Sequence, residues 1–191
     1  MNPIEKFKQW YNEETKKSSS RIPSACCLTS NGFDGFPNSR FVSLKEIIHE
    51  QFVITGPLKS RKGIELIENP KCSLTFWWAK TEKQVRIQGI AKQIEFELAE
   101  KYFRSRNKDS QLVSLISKQG NKISDLGQLI DNFEKKKEEI GSKEIKRPEN
   151  WSGFYITPKR IELMEFKKSR FHLRELYEKE GSEWRKTILQ P

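Results

Sequence analysis

The segment from Cys72 to Trp78 alternates without interruption between apolar residues at even positions and Ser, Thr or Trp at odd positions. Successive side chains of a β-strand point to opposite faces of a sheet, so the segment predicts a strand with one face in a core. The segment from Gln84 to Ile94 continues this pattern through Val85 and Ile87. Together the two segments predict a hairpin. The hairpin would belong to a sheet with one apolar face in the core and one more polar face.

Further strands are predicted wherever short apolar or alternating runs are bounded by turn residues such as Asn31-Gly32 and Gly56-Pro57. These strands run from Ala25 to Ser30, Ser39 to Ile48, Gln51 to Thr55, Trp151 to Thr157, Arg160 to Phe166, Ser169 to Tyr177 and Glu183 to Leu189. Gly181 is expected in the tight turn between the last two of them.

Helical spacing predicts an amphipathic helix at the start of the chain and a short helix from Ser60 to Glu68 with Ile64 and Ile67 turned inward. Three more helices form one insertion, from Glu95 to Arg106, from a cap at Asp109 or Ser110 to Ser117, and from Ser124 to Ile140. Mostly antiparallel strands with one helical insertion predict an α+β fold around a small barrel. Residues 1–20 would form the first helix and a linker, and residues 21–191 a single domain.

A formal net charge of +10 predicts attraction to anions such as nucleic acid, phosphorylated metabolites or acidic surfaces. Three cysteines are too few for a disulfide framework, and no spacing of Cys and His matches a zinc site. We therefore expect no metal and a reducing, cytoplasmic environment. No signal-peptide core and no run of about 18 apolar residues occur, which predicts a soluble protein that is neither exported nor bound to a membrane.

Arg170, His172 and Arg174 stand two residues apart, with large apolar residues between them. On a strand that began at Ser169, the three cation-capable side chains would project from one face. That face would suit a phosphorylated or otherwise anionic ligand, although an edge strand with a solvated basic face has the same pattern.

Two further groups of residues could hold phosphate. The tripeptide Ser60-Arg61-Lys62 begins a helix, where free N–H groups, a hydroxyl and two cations would surround an anion. Tyr102, Arg106 and Ser110 recur every fourth residue and would line one face if the helix continued between them, or bent without turning far. Exposed basic helix surfaces produce the same two patterns.

Arg40 and Lys45 have opposite parity on their predicted strand, so both reach one ligand only if a bulge intervenes or the ligand straddles the strand end. The sequence contains no recognisable Ser/His/Asp triad, paired-carboxylate motif or set of metal ligands. Anion sites without a catalytic group of the protein's own favour chemistry carried by a bound cofactor.

Seven short segments stand in an order and spacing typical of one known family. They are Ser39-Arg40-Phe41-Val42-Ser43-Leu44-Lys45, Ser60-Arg61-Lys62, Gln84-Val85, Tyr102-Phe103-Arg104-Ser105-Arg106, Asp109-Ser110-Gln111, Ser117-Lys118-Gln119 and Arg170-Phe171-His172-Leu173-Arg174. Over nearly the whole chain they closely resemble the pyridoxamine (pyridoxine) 5'-phosphate oxidase family. The resemblance implies an FMN-binding split barrel that forms a homodimer, with one FMN in each of two clefts between the subunits.

The resemblance also implies a role for each matching residue. The residues that match the cofactor-binding set are Arg40, Lys45, Thr55, Arg61, Lys62, Gln84, Gln119 and Arg174. Those that match the anchor for the substrate phosphate are Lys45, Tyr102, Arg106 and Ser110. Arg170 and His172 match the residues that face the substrate ring, and they are the expected catalytic pair.

The implied reaction oxidises pyridoxamine or pyridoxine 5'-phosphate to pyridoxal 5'-phosphate, with a hydride passing from the 4' carbon to flavin N5 and O2 reoxidising the flavin. The chain departs from the family where Met164 replaces a Trp, Phe166-Lys167-Lys168 fills a glycine-containing turn, and Leu173 replaces an Asp. The family's longer N-terminal segment is also expected to be absent.

These departures leave two other flavoproteins open. One is an FMN-dependent oxidase of another small substrate, such as a phenazine precursor, and the other is a flavin-binding protein without oxidase activity. The net charge would also suit a nucleic-acid-binding module, but no RNA-binding aromatic motif or recognition helix supports one, so we expect no nucleic-acid partner.

Overall fold

The computed structural model describes residues 2–20 and 22–191. The predicted start of the main domain, at residue 21, therefore lies outside the described residues. Within them, eight strands form one sheet and five helices lie around it. None of the helices in these two ranges is long and apolar enough to cross a membrane.

After a first helix, the chain forms three strands, a short helix, a hairpin, three helices and a final three strands. The strands are β1 (Ala25–Asn31), β2 (Pro37–Ile48), β3 (Gln51–Pro57), β4 (Lys71–Trp78), β5 (Lys83–Gln93), β6 (Trp151–Glu165), β7 (Leu173–Glu180) and β8 (Glu183–Leu189). The helices are α1 (Pro3–Lys17), α2 (Arg61–Glu68), α3 (Phe96–Arg104), α4 (Lys108–Ile116) and α5 (Leu126–Ile140).

Six of the strands close into a barrel. Their order is β3-β2-β1-β4-β5-β6, and β3 also pairs with β6, from Phe52 opposite Ile156 to Pro57 opposite Trp151. All neighbouring strands are antiparallel. β7 and β8 extend the sheet as a hairpin, with Gly181 at its turn in the left-handed region (φ 60°). The predicted α+β fold around an antiparallel barrel is confirmed.

The alternation in β4 and β5 fills the barrel interior as predicted. The even-numbered residues of β4 are buried, and Leu74 and Phe76 lie opposite the buried Ile87 and Val85. α1 adds Phe7, whose ring lies 5.0 Å from those of both Phe52 and Phe76. These contacts place α1 in the same core as the barrel. Complete burial of one such ring stabilises the fold by roughly 1.5–3 kcal/mol.

A second apolar cluster joins the helical insertion to the sheet. It contains Val53 of β3, Phe103 of α3, Leu112 of α4 and Trp151 at the start of β6. The rings of Phe103 and Trp151 meet edge to face with centroids 5.2 Å apart. This packing holds the ends of α3 and α4 beside the paired ends of β3 and β6.

One continuous strand, β6, stands where the sequence pattern predicts two strands, from Trp151 to Thr157 and from Arg160 to Phe166. The register between β5 and β6 shifts between Gln88 and Gly89, which face Arg160 and Pro158. This irregularity lets the strand continue past a proline that cannot donate to the ladder.

The inward-facing residues of α2 and the cap of α4 also differ from prediction. Ile64 and Ile67 are exposed, and the carboxylate of Glu65 is buried in their place because it binds several donors of the sheet. The cap of α4 is Asn107, which accepts the N–H of Ser110 at 2.8 Å, and not Asp109 or Ser110 itself.

Candidate functional site

A basic cavity of about 340 Å³ lies where β2 and β3 meet α2 and the segment around α4. Five residues expected from the sequence line it, namely Lys45, Thr55, Lys62, Arg106 and Gln119. No Asp or Glu of the described residues contributes to its lining. We call this space the basic cavity, and its composition suits an anionic ligand.

Lys62 lies at the start of α2, close to the backbone of β3. A Cβ atom added to Gly56 would stand 3.2 Å from its Nζ, so the glycine makes room for the ammonium. Nζ donates to Gln119 Oε1 at 2.5 Å and to Ser60 Oγ at 3.2 Å. Burial, together with the charge of Arg40, lowers the pKa of Lys62 to about 8. An anion would relieve this desolvated charge.

Arg106 follows α3 and lies over the indole ring of Trp151, with its guanidinium carbon 5.0 Å from the ring centroid. It donates to Ser114 Oγ at 2.6 Å. Burial lowers the pKa of Arg106, and partial burial and the charge of Arg106 lower the pKa of Lys45. The two cations thus share one end of the basic cavity.

A β-bulge in β2 explains how Lys45 reaches the basic cavity. The register between β2 and β3 shifts between Leu44 and Ile47, and Lys45 lies inside the shifted segment. Arg40 lies before the bulge and donates through Nη2 to Glu65 Oε2 at 2.9 Å. A bulge is one of the two arrangements that the parity of these cations allowed, and β2 contains it.

Arg61 does not line the basic cavity, because its guanidinium turns to carboxylates. Nε donates to Glu65 Oε1 at 2.8 Å, and Nη2 donates to Asp34 Oδ2 at 3.1 Å. Sequence reasoning does not single out Glu65, although its position four residues after Arg61 was an available signal of an ion pair. It also passes over Ser114 and Trp151, which line the basic cavity.

Tyr102, Arg106 and Ser110 do not lie on one continuous helix, so the helix does not give them a shared face. α3 ends at Arg104, and α4 starts only at Lys108. Tyr102 Oη donates a hydrogen bond to the carboxylate of Glu46. Burial raises the pKa of Tyr102 most, and this carboxylate raises it further. Neither Tyr102 nor Ser110 lines the basic cavity.

Gln84, Arg170, His172 and Arg174 form a second group, which we call the β7 group, and they do not line the basic cavity. β7 begins only at Leu173, so the predicted strand from Ser169 with three cations on one face is wrong. A turn closed by the Arg170 N–H and the Lys167 carbonyl at 3.1 Å interrupts the chain there, with Arg170 at φ 68°.

Within the β7 group, Arg174 and Gln84 contact side chains of β6. Arg174 Nη2 pairs with Glu162 Oε1 at 2.8 Å. Gln84 lies opposite Met164 in the ladder, and its amide nitrogen is 4.0 Å from the Met164 sulfur. β6 therefore holds both side chains at one end of the sheet.

His172 lies in the loop before β7 with its ring orientation fixed. Nδ1 accepts the backbone N–H of Lys167 at 3.0 Å. The ring packs on Phe166 at 4.8 Å, and Phe166 packs on Trp77 at 5.1 Å between centroids. A neutral imidazole that accepts at Nδ1 carries its proton on Nε2, so His172 presents an N–H donor from the other side of its ring.

Two family models match the chain. Residues 13–138 match the model described as pyridoxamine 5'-phosphate oxidase, and residues 151–191 match the pyridoxine 5'-phosphate oxidase C-terminal dimerisation region. A protein of Leptospira interrogans is 35% identical over 191 residues, which cover all of this chain and 89% of that protein. One of Pelagibacter ubique is 36% identical over 194 residues, covering 100% and 92%. Both are named pyridoxine/pyridoxamine 5'-phosphate oxidase.

Solved structures share the fold. PhzG from Burkholderia lata 383, in complex with tetrahydrophenazine-1-carboxylic acid, superposes with a TM-score of 0.93 at 27% identity, over all of this chain and 93% of that one. A pyridoxamine 5'-phosphate oxidase-related, FMN binding protein from Nostoc punctiforme gives a TM-score of 0.81 at 15% identity, covering 100% and 98%.

Proposed function

The chain belongs to the pyridoxamine 5'-phosphate oxidase family and is an FMN-dependent oxidoreductase of that type, and from this premise we propose that it oxidises pyridoxamine or pyridoxine 5'-phosphate to pyridoxal 5'-phosphate with O2. The observation that carries the proposal is the basic cavity, in which Lys45, Lys62 and Arg106 converge without a carboxylate among the described lining residues. Two phosphates, one from the cofactor and one from the substrate, account for this charge.

FMN fits the residues that the sequence singles out. The phosphate would be held by Arg61 and Lys62 at the start of α2, where Ser60 caps the helix and the ammonium of Lys62 is desolvated. The remaining ligands would be Arg40, Lys45, Thr55, Gln84, Gln119 and Arg174. When bound, FMN accepts the hydride from the substrate and passes electrons on to O2.

The substrate phosphate would bind Lys45 and Arg106, with Tyr102 and Ser110 completing the anchor. Tyr102 at present donates to Glu46, so its hydroxyl must leave that carboxylate in order to donate to the substrate. Anchoring through a remote phosphate fixes the ring against the cofactor and lowers the entropy that the reaction step must lose.

Arg170 and His172 are the proposed catalytic pair. With Nδ1 engaged by Lys167, His172 would donate its Nε2 proton to a polar group of the substrate ring, and Arg170 would supply a fixed charge beside it. Their role is to orient the ring and stabilise charge that develops on it.

A homodimer would bring the β7 group of one protomer to the basic cavity of the other. The match of residues 151–191 to a dimerisation region supports this arrangement. Exposed aromatic side chains support it as well, since Phe41 and Phe171 are each 79% exposed and Trp77 is 55% exposed. Large exposed aromatics are typical of surfaces that another protein covers.

The similarity to PhzG favours a second candidate, an oxidase of a small carboxylic acid such as a reduced phenazine precursor. Such a substrate carries no phosphate, so it would need fewer cations than the basic cavity supplies. The phosphorylated substrate therefore remains our first proposal.

Oxygen consumption by the FMN-loaded protein tests the assignment. We expect turnover of pyridoxamine or pyridoxine 5'-phosphate with formation of pyridoxal 5'-phosphate, and much weaker turnover of unphosphorylated pyridoxamine. FMN-loaded protein that turned over neither phosphate ester would contradict the proposal.

A further inference from the structure

The carboxylate of Glu65 has no exposure to solvent, although it lies on α2, a helix of eight residues at the barrel surface. Burial of an ionised carboxylate is strongly unfavourable unless opposite charges and hydrogen bonds compensate for the lost water. The donors that compensate for the buried charge of Glu65 indicate its role.

Both carboxylate oxygens of Glu65 accept hydrogen bonds. Oε1 accepts from Arg61 Nε at 2.8 Å and from Asn38 Nδ2 at 2.9 Å. Oε2 accepts from Arg40 Nη2 at 2.9 Å and from the hydroxyl of Ser30. Burial by itself would raise the pKa of Glu65, but these bonds outweigh it and bring the pKa to about 2. The side chain is therefore ionised throughout the physiological range.

Glu65 thereby fixes two guanidinium groups by one edge each. Arg40 is held a second time, because its Nη1 donates to Ser30, and its side chain is only 22% exposed. Arg61 is more exposed, at 53%, and without Glu65 only the exposed carboxylate of Asp34 would restrain its guanidinium. The remaining N–H groups of both side chains stay available to a ligand. Arg40 also lies close enough to Lys62 to lower its pKa, so the network borders the basic cavity.

On the premise of the proposed FMN site, we propose that Glu65 is its positioning residue, which holds Arg40 and Arg61 in place before the cofactor phosphate arrives. An anion then meets donors that are already ordered, and little side-chain entropy is lost on binding. Without the Glu65 carboxylate, Arg40 would lose the counter-ion that it has within the described residues, and Arg61 would keep only the exposed carboxylate of Asp34.

The negative charge of Glu65 by itself would lower the affinity for FMN, because it repels the phosphate. Two guanidinium groups contact the carboxylate directly and offset its charge before it reaches a ligand. The ordering of the two cations therefore outweighs the repulsion of the phosphate, and loss of Glu65 weakens FMN binding.

Titration of apoprotein with FMN, followed by flavin fluorescence, tests this role. We expect Glu65→Gln to raise the dissociation constant for FMN by about tenfold or more. Riboflavin lacks the phosphate, so its affinity should not fall in proportion. Glu14→Gln is the matched control, because Glu14 is also a buried glutamate but accepts from Lys80 and Thr81 of the β4–β5 turn and from none of the proposed ligands.

A double-mutant cycle separates positioning from mere support of the fold. If Glu65 acts through Arg61, then Arg61→Ala weakens FMN binding strongly in the wild-type background and only slightly in Glu65→Gln. Additive losses, or equal losses of FMN and riboflavin, would overturn the positioning role. Should Glu65→Gln not fold, Glu65→Asp keeps the charge but withdraws it from the two cations, and it should weaken FMN binding in the same selective way.

The two proposals fail differently. A wild-type protein that does not bind FMN contradicts the proposed function itself. A wild-type protein that binds FMN, together with a Glu65→Gln variant that binds it equally or more tightly, contradicts only the role of Glu65.

Discussion

Single residues of the basic cavity carry charge that the fold does not neutralise. Lys45, Lys62 and Arg106 each lose solvent on folding, and none of them forms an ion pair within residues 2–20 and 22–191. Folding alone gains nothing from such an arrangement, because a desolvated cation without a partner is destabilising. A bound anion would recover this free energy.

Replacement of Arg106 with Ala should raise KM for the phosphorylated substrate by roughly 10- to 100-fold, since one charge-assisted hydrogen bond contributes about 1.5–3 kcal/mol. Steady-state kinetics measure this change. Arg104→Ala is the control, because Arg104 lies only two residues earlier, at the end of α3, but pairs with Glu100 at the surface and should leave KM unchanged. An unchanged KM in Arg106→Ala would refute the phosphate anchor.

The orientation of His172 predicts a difference between two amide replacements. Gln places its amide nitrogen near the position of Nε2, whereas Asn places its polar atoms near Nδ1, so kcat/KM should fall about 10- to 100-fold further in His172→Asn than in His172→Gln. The chain has only two histidines, so a ¹⁵N spectrum can also show the tautomer directly. A resonance of neutral His172 with its proton on Nδ1 would contradict the assignment.

The approach of α2 to β3 creates the end of the basic cavity that contains Lys62. Gly63 lies where α2 touches the preceding loop, and a Cβ atom there would stand 2.2 Å from the carbonyl oxygen of Leu58. Gly56 gives Lys62 its space on the other side. The two glycines set the distance between the helix and the strand.

Gly63→Ala should therefore lower the free energy of unfolding by about 2 kcal/mol or more, because backbone atoms must move to admit the methyl group. Urea denaturation measures the loss. Gly127→Ala in α5 is the control, since its nearest neighbour is a side-chain oxygen of Asp125 at 3.2 Å and alanine favours a helix by up to about 1 kcal/mol. Equal stabilities of the two variants would show that α2 can shift freely.

The position of Lys62 between α2 and β3 also predicts a pH dependence. Its pKa in the folded protein is about 8, below the ordinary 10.5, so the side chain loses its charge as the pH rises through 8. FMN binding should weaken by up to about tenfold between pH 7 and pH 9. Lys62→Arg keeps its charge and should show a flat profile, and a matching decline in that variant would assign the effect to another group.

The lowered pKa of Lys62 has the opposite effect on the stability of the apoprotein, to which this group contributes more as the pH rises. Between pH 8 and 10.5 the unfolded chain holds more protons at Lys62 than the folded chain does, so this group increases stability as the pH rises through that window. Thermal unfolding of wild type and Lys62→Arg at matched pH values isolates this contribution.

Elements whose burial follows local alternation could be predicted from the sequence, and β4 and β5 are the clearest cases. The pattern failed where distant partners decide the conformation. β6 passes Pro158 because of its register against β5, and α2 buries Glu65 because cations of β2 and α2 itself surround it. For the site, the sequence located the cavity cations, but the turn at Arg170 and the end of α3 at Arg104 depend on tertiary contacts that no local pattern encodes.

For the whole molecule, the separation of the β7 group from the basic cavity predicts active sites shared between subunits. No hydrogen bond joins the two groups in the described part of the chain. In a two-fold dimer, each cavity would then receive the β7 group of the partner.

Mixing two impaired variants, assayed at a substrate concentration well below KM, tests this arrangement. When Arg106→Ala and His172→Asn protomers are unfolded together and refolded, about half of the dimers are mixed, and each mixed dimer contains one intact site of two, so activity should recover to about a quarter of the wild-type value. Each variant refolded alone is the control. Absence of recovery, despite mixed dimers on a gel, would place both groups in one protomer.

The pairing of β3 with β6 determines when, during synthesis of the chain, the basic cavity can form. Thr55 and Gly56 pair with Gly153 and Ser152, which leave the ribosome only after the whole helical insertion. Until then β3 is an unpaired edge of a nascent sheet, open to other chains, and the floor of the basic cavity is incomplete. Cofactor capture would therefore have to wait until β6 closes the barrel.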